Sequence, residues 1–153
     1  MSTEEQQTRV RKLSILIPVY NEIRTLETLL NKVIEAPLPC ERELIIVDDG
    51  SRDGSREVLR AFKEKHPDIV RLFFHKKNGG KGAAIRTAIS KISGDWAIIQ
   101  DADLEYDPAE YERLLLPVQE GLADAVFGSR FLTHKYRRAM FFWHTMANKM
   151  LTL

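Results

Sequence analysis

Apolar positions along this chain switch repeatedly between two rhythms. Short β-rich runs occupy residues 13–19 (LSILIPV), 43–49 (ELIIVDD), 70–75 (VRLFFH), 95–100 (DWAIIQ) and 123–129 (ADAVFGS), and each reads as a strand. Between them, apolar residues return every three or four positions. Over residues 23–35 this period puts Leu26, Leu29, Leu30, Val33 and Ile34 on one helical face, with Asn21 as the expected cap and Pro37 as the stop. SRDGSREVLRAFKEK supplies a turn and a second helix, and GGKGAAIRTAISKI (79–92) supplies a third, opened by glycines. Pro108 starts a fourth that runs to about Gln119. Strands alternating with helices predict α/β units around a mostly parallel sheet.

The last stretch has a different character. Residues 135–151 predict a helix with Met140, Trp143, Ala147 and Met150 at helical spacing, preceded by a basic cluster of Lys135, Arg137 and Arg138. The sequence then reaches Leu153 without a cap or a polar tail, so a domain incomplete at its C-terminus is expected. With no repeat and no low-complexity linker, no internal boundary is expected either.

Composition narrows the class. A chain of 153 residues that is 44% hydrophobic and 29% charged fits one globular domain with a real core and excludes a disordered or fibrous one. Its 23 basic and 22 acidic residues leave a net charge of +1, so no global field points to nucleic acid and any charge argument must be local. The opening MSTEEQQTRVRK is polar, and no apolar segment of signal-peptide or membrane-spanning length follows. A cytoplasmic chain with a flexible first dozen residues is therefore expected. The single cysteine, Cys40, has neither a disulfide partner nor a nearby histidine, and reads as an incidental thiol.

In an open parallel sheet, ligands bind beyond the carboxyl ends of the strands. Those ends here carry PVYNE (18–22), VDDGS (47–51), HKKNGGKG (75–82), DADLE (101–105) and GSRF (128–131). Gly79, Gly80 and Gly82 around Lys81 either let backbone amides approach an anion or form an ordinary glycine-rich turn. They match neither the phosphate-loop pattern nor the dinucleotide fingerprint. Asp48 and Asp49 either hold a ligand's hydroxyl or base nitrogen, or Asp48 caps the turn at GSRDGS.

Asp101, Asp103, Glu105 and Asp107 place four acids within seven residues. Asp107, before Pro108, suits a helix cap. Asp101 and Asp103 suit a hard cation, because magnesium and manganese take carboxylate oxygens and bridge them to substrate phosphates. A receiver domain also gathers acids near magnesium, but its acidic pair follows the first strand, which here ends in Pro18-Val19.

Taken in order, SILIPVYNE, ELIIVDDGSRDGS, NGGKGAAIRTA, DADLEYDP and GSRF resemble the family 2 inverting glycosyltransferases of the GT-A fold. Within them the dolichyl-phosphate mannose synthases and bacterial polyprenyl-phosphate sugar transferases are the most similar branch. The resemblance implies a Rossmann-like nucleotide-diphospho-sugar transferase sandwich, with residues 13–153 as a catalytic domain incomplete at its C-terminus. It implies a sugar-nucleotide donor bound by Pro18, Tyr20, Glu22, Val47, Asp49, Lys81, Asp101 and Ala102. Asp101, Ala102 and Asp103 would be the DxD motif, with Asp103 binding Mg2+ or Mn2+ on the diphosphate, Asp101 beside it and Glu105 as a further ligand. Glu105 stands where this branch often has Gln. Arg130 would face the transferred sugar or the acceptor phosphate, and with Asp103 makes up the expected catalytic pair.

The implied reaction moves a hexose from a GDP-mannose or UDP-glucose type donor to a polyprenyl or dolichyl phosphate in cell-envelope glycan synthesis. A sugar hydroxyl as acceptor, or a nucleotide-sugar-binding module without turnover, are the alternatives. From Ala125 to Leu153 there is no Asp or Glu, whereas Arg130, Lys135, Arg137, Arg138 and Lys149 all occur there. An alcohol acceptor needs a general base, while a phosphate with a second pKa of about 6 is already ionised, so an acid-free basic segment favours a lipid phosphate. The aromatic stretch AMFFWHTMANKM either lies at the inner face of the cytoplasmic membrane as a peripheral contact or packs on the domain's own core.

Overall fold

The computed structural model describes residues 10–128. Four parallel strands form one sheet in the order β3-β2-β1-β4: β1 Lys12–Val19, β2 Glu41–Asp48, β3 Val70–Phe74 and β4 Trp96–Ile99. The crossovers are α1 (Leu26–Glu35), α2 (Ser55–Lys65) and α3 (Lys81–Ile89). After β4 the chain makes a loop, a 3-10 turn at Pro108–Glu110 and α4 (Tyr111–Gln119).

Alternation along β1 builds two layers. Leu13, Ile15, Ile17 and Val19 face the larger core, shared with α1, α2 and α4, while Leu16 joins Ile45 and Val47 beneath Ala84 and Ala88 of α3. Both faces are covered, which is why β1 and β2 read as almost continuous apolar runs. β4 pairs with β1 only as far as Leu16↔Ile99, and the next amide, Gln100 N–H, donates to Leu16 O at 2.9 Å. Beyond that point β1 has one neighbour among the described residues, β2, and there Pro18 sits without breaking a second described ladder.

At the opposite edge of the sheet, Glu43 is 3% exposed and joins three elements. Its carboxylate accepts from Ser14 Oγ at 2.6 Å, from Ser93 N–H at 2.6 Å and from Ser93 Oγ at 2.8 Å, and Lys12 Nζ lies 3.4 Å away. Burial alone pushes this carboxyl up, but the serine hydrogen bonds and Lys12 outweigh it and hold the pKa at about 2. The crossing there is tight: a Cβ on Gly94 would lie 2.6 Å from Lys12 O.

Several expected boundaries move. Packing starts before residue 13: Val10 is buried, and Arg11 N–H donates to Asp95 Oδ2 at 3.0 Å. Asn21 does not cap α1. It adopts a left-handed φ of 55° and accepts from Arg52 N–H at 2.9 Å, and Thr25 takes the cap position. Residues 123–128 are not a strand and pair with no strand among the described residues, and Phe127 is 92% exposed. The expected helix at 135–151, the basic residues from Lys135 to Lys149 and Arg130 lie outside the described residues.

Candidate active site

The carboxyl ends of the strands converge on one cleft of about 310 Å3. Its lining includes Pro18 near the end of β1, Tyr20 and Glu22 after it, Asp49 after β2, Lys81 at the start of α3, and Asp101, Ala102 and Asp103 after β4. Eight of the residues singled out from sequence therefore meet at one place. Val47 does not line it: its side chain is wholly buried under α3. Glu105 lies beside it, with its N–H donating to Asp103 Oδ1 at 3.0 Å. Val19, Asn78 and Ala84 were not singled out, although Asn78 stands inside HKKNGGKG and its motif was the available signal.

One wall is stitched from two loops. Asn21 N–H donates to Ser51 Oγ at 3.0 Å, Glu22 N–H to Ser55 Oγ at 3.1 Å and Ile23 N–H to Asp53 Oδ2 at 3.0 Å. Tyr20 and Glu22 are thus presented on a braced segment, with Tyr20 47% exposed. Asp48 is wholly buried and caps its turn: it accepts from Gly50 and Ser51 N–H groups and from Arg56 Nε at 2.6 Å. Gly50 has φ +84°, and a Cβ there would meet Asn78 N at 2.7 Å, so the turn presses directly against the glycine loop.

Asp49 holds that loop in shape. It is 2% exposed and accepts from His75 Nδ1 at 2.6 Å, from Gly79 N–H at 3.0 Å and from Gly80 N–H at 2.7 Å. Burial raises its pKa, but the bonds from His75, Gly79 and Gly80 prevail and leave the carboxyl below its ordinary value. Two consequences follow. The amides of Gly79 and Gly80, one candidate cradle for an anion, are already spent on Asp49. Gly79 N–H is shared between both Asp49 oxygens at 3.0 Å each, so all of the roughly four acceptor positions of the carboxylate are occupied, and a ligand donor would have to displace part of that shared bond.

The opposite wall carries the acids. Lys81 Nζ lies 2.6 Å from Asp101 Oδ1 and donates to Oδ2 at 2.8 Å, so a cation already bridges the glycine loop and the acidic turn. Asp107 caps the 3-10 turn by accepting from Ala109 N–H at 3.3 Å, the role read for it from sequence. Among the described residues there is no group of three or more side chains placed to hold a metal ion. The donor set nonetheless fits a hard cation that takes one or two carboxylates and completes its shell from a diphosphate and water, since Asp103 faces the cleft with one oxygen bonded to Glu105 N–H.

The chain is similar to known proteins in sequence and in fold. The family model described as glycosyl transferase family 2 matches residues 14–146. An undecaprenyl-phosphate 4-deoxy-4-formamido-L-arabinose transferase of Photorhabdus laumondii subsp. laumondii is 36% identical over 115 residues, covering 74% of this chain and 35% of that protein. The transferase of the same name from Serratia proteamaculans is 39% identical over 114 residues, covering 73% and 35%. Among solved structures, the mannosyltransferase PcManGT from Pyrobaculum calidifontis, in complex with GDP-Man and Mn2+, superimposes with a TM-score of 0.63 at 30% identity, covering 76% of this chain and 33% of that one. The chain spans about a third of the length of these relatives. Its parallel sheet flanked by helices is that of the GT-A neighbours.

Proposed function

We infer that this chain, which belongs to glycosyl transferase family 2, forms the donor side of a metal-dependent inverting glycosyltransferase that loads a sugar onto a polyprenyl phosphate. The observation that carries the reading is the convergence of Tyr20, Glu22, Asp49, Lys81, Asp101 and Asp103 on one cleft at the carboxyl edge of the sheet. The relatives named as undecaprenyl-phosphate transferases support the acceptor, and the neighbour holding GDP-Man and Mn2+ supports the donor and the metal.

Each residue then has a defined task. Tyr20 offers an exposed side chain on which a base can stack, Asp49 can accept from a base N–H by giving up one side of the bond it shares with Gly79, and Glu22, which lines the same cleft, would accept from a ribose hydroxyl. Lys81 brings a positive charge toward the diphosphate and keeps Asp101 oriented until the donor arrives. Asp103, with Asp101 and Glu105 beside it, would hold Mg2+ or Mn2+, which when bound stabilises negative charge on the leaving diphosphate as a Lewis acid. In the reaction an acceptor phosphate oxygen forms the new bond to the anomeric carbon while the bond to the diphosphate breaks. The nucleoside diphosphate leaves with the electron pair, and no base is needed for an acceptor that is already ionised. Arg130, beyond the described residues, is assigned to the sugar or the acceptor phosphate.

The reaction would take place at the inner face of the cytoplasmic membrane, in cell-envelope glycan synthesis, where the positive charges of Lys135, Arg137, Arg138 and Lys149 suit anionic headgroups. No helix among the described residues is long and apolar enough to cross a membrane. The test is transfer of labelled sugar from GDP-mannose or UDP-glucose to a short polyprenyl phosphate with Mn2+, beside a sugar-hydroxyl acceptor. Glycosyl phosphate as the product supports the reading. Transfer to the hydroxyl alone, or donor binding without transfer to either, refutes it.

A further inference from the structure

Thr25 occupies the N-cap of α1, the position at which a threonine ordinarily bonds the exposed amides of its own helix. It makes no such bond. Its hydroxyl instead donates to Ala102 O at 2.7 Å, across 77 residues of sequence. The other oxygens near it, Glu22 O at 3.4 Å and Glu22 Oε2 at 3.3 Å, are acceptors too, and a hydroxyl with one proton gives it to the shortest contact.

Ala102 lies between the two acids that line the cleft. Because the peptide joining Ala102 to Asp103 is planar, fixing the Ala102 carbonyl fixes the plane from which the Asp103 backbone departs. Further contacts hold the ends of the same turn. Gln100 Nε2 donates to Asp101 O at 3.0 Å and to Tyr106 O at 3.2 Å, and Tyr111 OH donates to Gln100 Oε1 at 2.6 Å. Leu104 is held at φ 64°, a left-handed backbone for a branched residue, with its side chain packed on the main core. The turn is bound at both ends by Gln100 and in the middle by Thr25.

We propose that Thr25 is a positioning residue, whose hydroxyl clasps the wall bearing Tyr20 and Glu22 to the acidic turn and so sets the span between the nucleoside side and the metal-binding carboxylates. The proposal rests on the donor-binding reading above. It assigns to Thr25 the coupling between two halves of the donor, since nucleoside and diphosphate are engaged together only if the two walls keep their spacing.

The variants are Thr25→Val, which keeps the shape and removes the donor, Thr25→Ser, which keeps the donor, and Thr25→Ala in case the valine is not tolerated. The affinity for GDP-mannose is measured by calorimetry with and without Mn2+, together with hydrogen exchange of the amides of residues 101–106 in the ligand-free chain. Loss of the clasp is expected to weaken Mn2+-dependent binding about fivefold to tenfold, the size of one hydrogen bond. Metal-free binding should stay within about twofold and exchange across 101–106 should quicken, while Thr25→Ser restores all three to wild-type behaviour. Wild-type Mn2+-dependent affinity in both Thr25→Val and Thr25→Ala overturns the assignment. An equal loss with and without Mn2+ also overturns it, since that marks a general structural role. A wild-type chain that gains no affinity from Mn2+ overturns the donor-binding reading itself, and the proposal with it.

Discussion

Replacing Asp49 by asparagine probes the joint on which the glycine loop turns. The carboxylate is 2% exposed and accepts from three donors, His75 Nδ1, Gly80 N–H and a Gly79 N–H shared between its two oxygens. An asparagine can keep its oxygen toward the two glycine amides only by turning its NH2 group toward His75. His75 must then present an unprotonated Nδ1 and carry its proton on Nε2, where Thr87 Oγ1 lies 2.9 Å away and can accept it. The geometry survives, but charge-assisted bonds become neutral ones. With about 1 kcal/mol lost for each of the two or three bonds, the variant should be less stable by about 2 to 3 kcal/mol. Urea unfolding gives this number from the midpoint at unchanged slope, and hydrogen exchange at Gly79 and Gly80 localises it. A variant within about 0.5 kcal/mol of wild type, with both amides equally protected, would refute the view that Asp49 is the anchor of the loop.

Other consequences can be checked on the same purified chain. Glu43 has a folded pKa depressed from 4.5 to about 2, so its stabilisation is fully present above pH 4.5 and disappears as pH falls through about 2. Glu43→Gln should flatten the acid limb of the stability profile by about 3 kcal/mol, and an unchanged limb counts against the network. At Gly50, alanine meets both a φ of +84° and a backbone nitrogen at 2.7 Å, so Gly50→Ala should cost about 2 kcal/mol or more in urea unfolding; a neutral result would mean that the turn moves freely away from Asn78.

Much of this architecture was legible because period and punctuation agree. The almost continuous apolar runs of β1 and β2 announce strands covered on both faces, and Asp107-Pro108 announces the start of the turn into α4. Ordered motifs at the strand ends located the cleft, since a parallel sheet brings all its carboxyl ends to one edge. What sequence did not show was the destination of polar groups. Asn21 reads as the cap of α1, yet it turns left-handed to receive Arg52 N–H, while Thr25, which takes the cap position, sends its hydroxyl to Ala102 O. Asp49 looked available to a ligand, yet its oxygens are largely committed to His75, Gly79 and Gly80. Val47 shares the VDDGS motif but sits at a strand position that faces α3. Among the described residues the run at 123–128 has no strand partner, and an apolar run specifies a strand only when a neighbour completes its ladder.

The central claim is that the cleft binds a nucleotide sugar through a cation held by Asp103. Thermal unfolding of the wild-type chain and of Asp103→Ala, with GDP-mannose or UDP-glucose and with or without Mn2+, tests it most directly. The account predicts that one of these donors raises the wild-type midpoint further when Mn2+ is present, and that Asp103→Ala abolishes the Mn2+-dependent increment alone. A metal-dependent increment that persists in Asp103→Ala, or no donor-induced shift in the wild type, would contradict it.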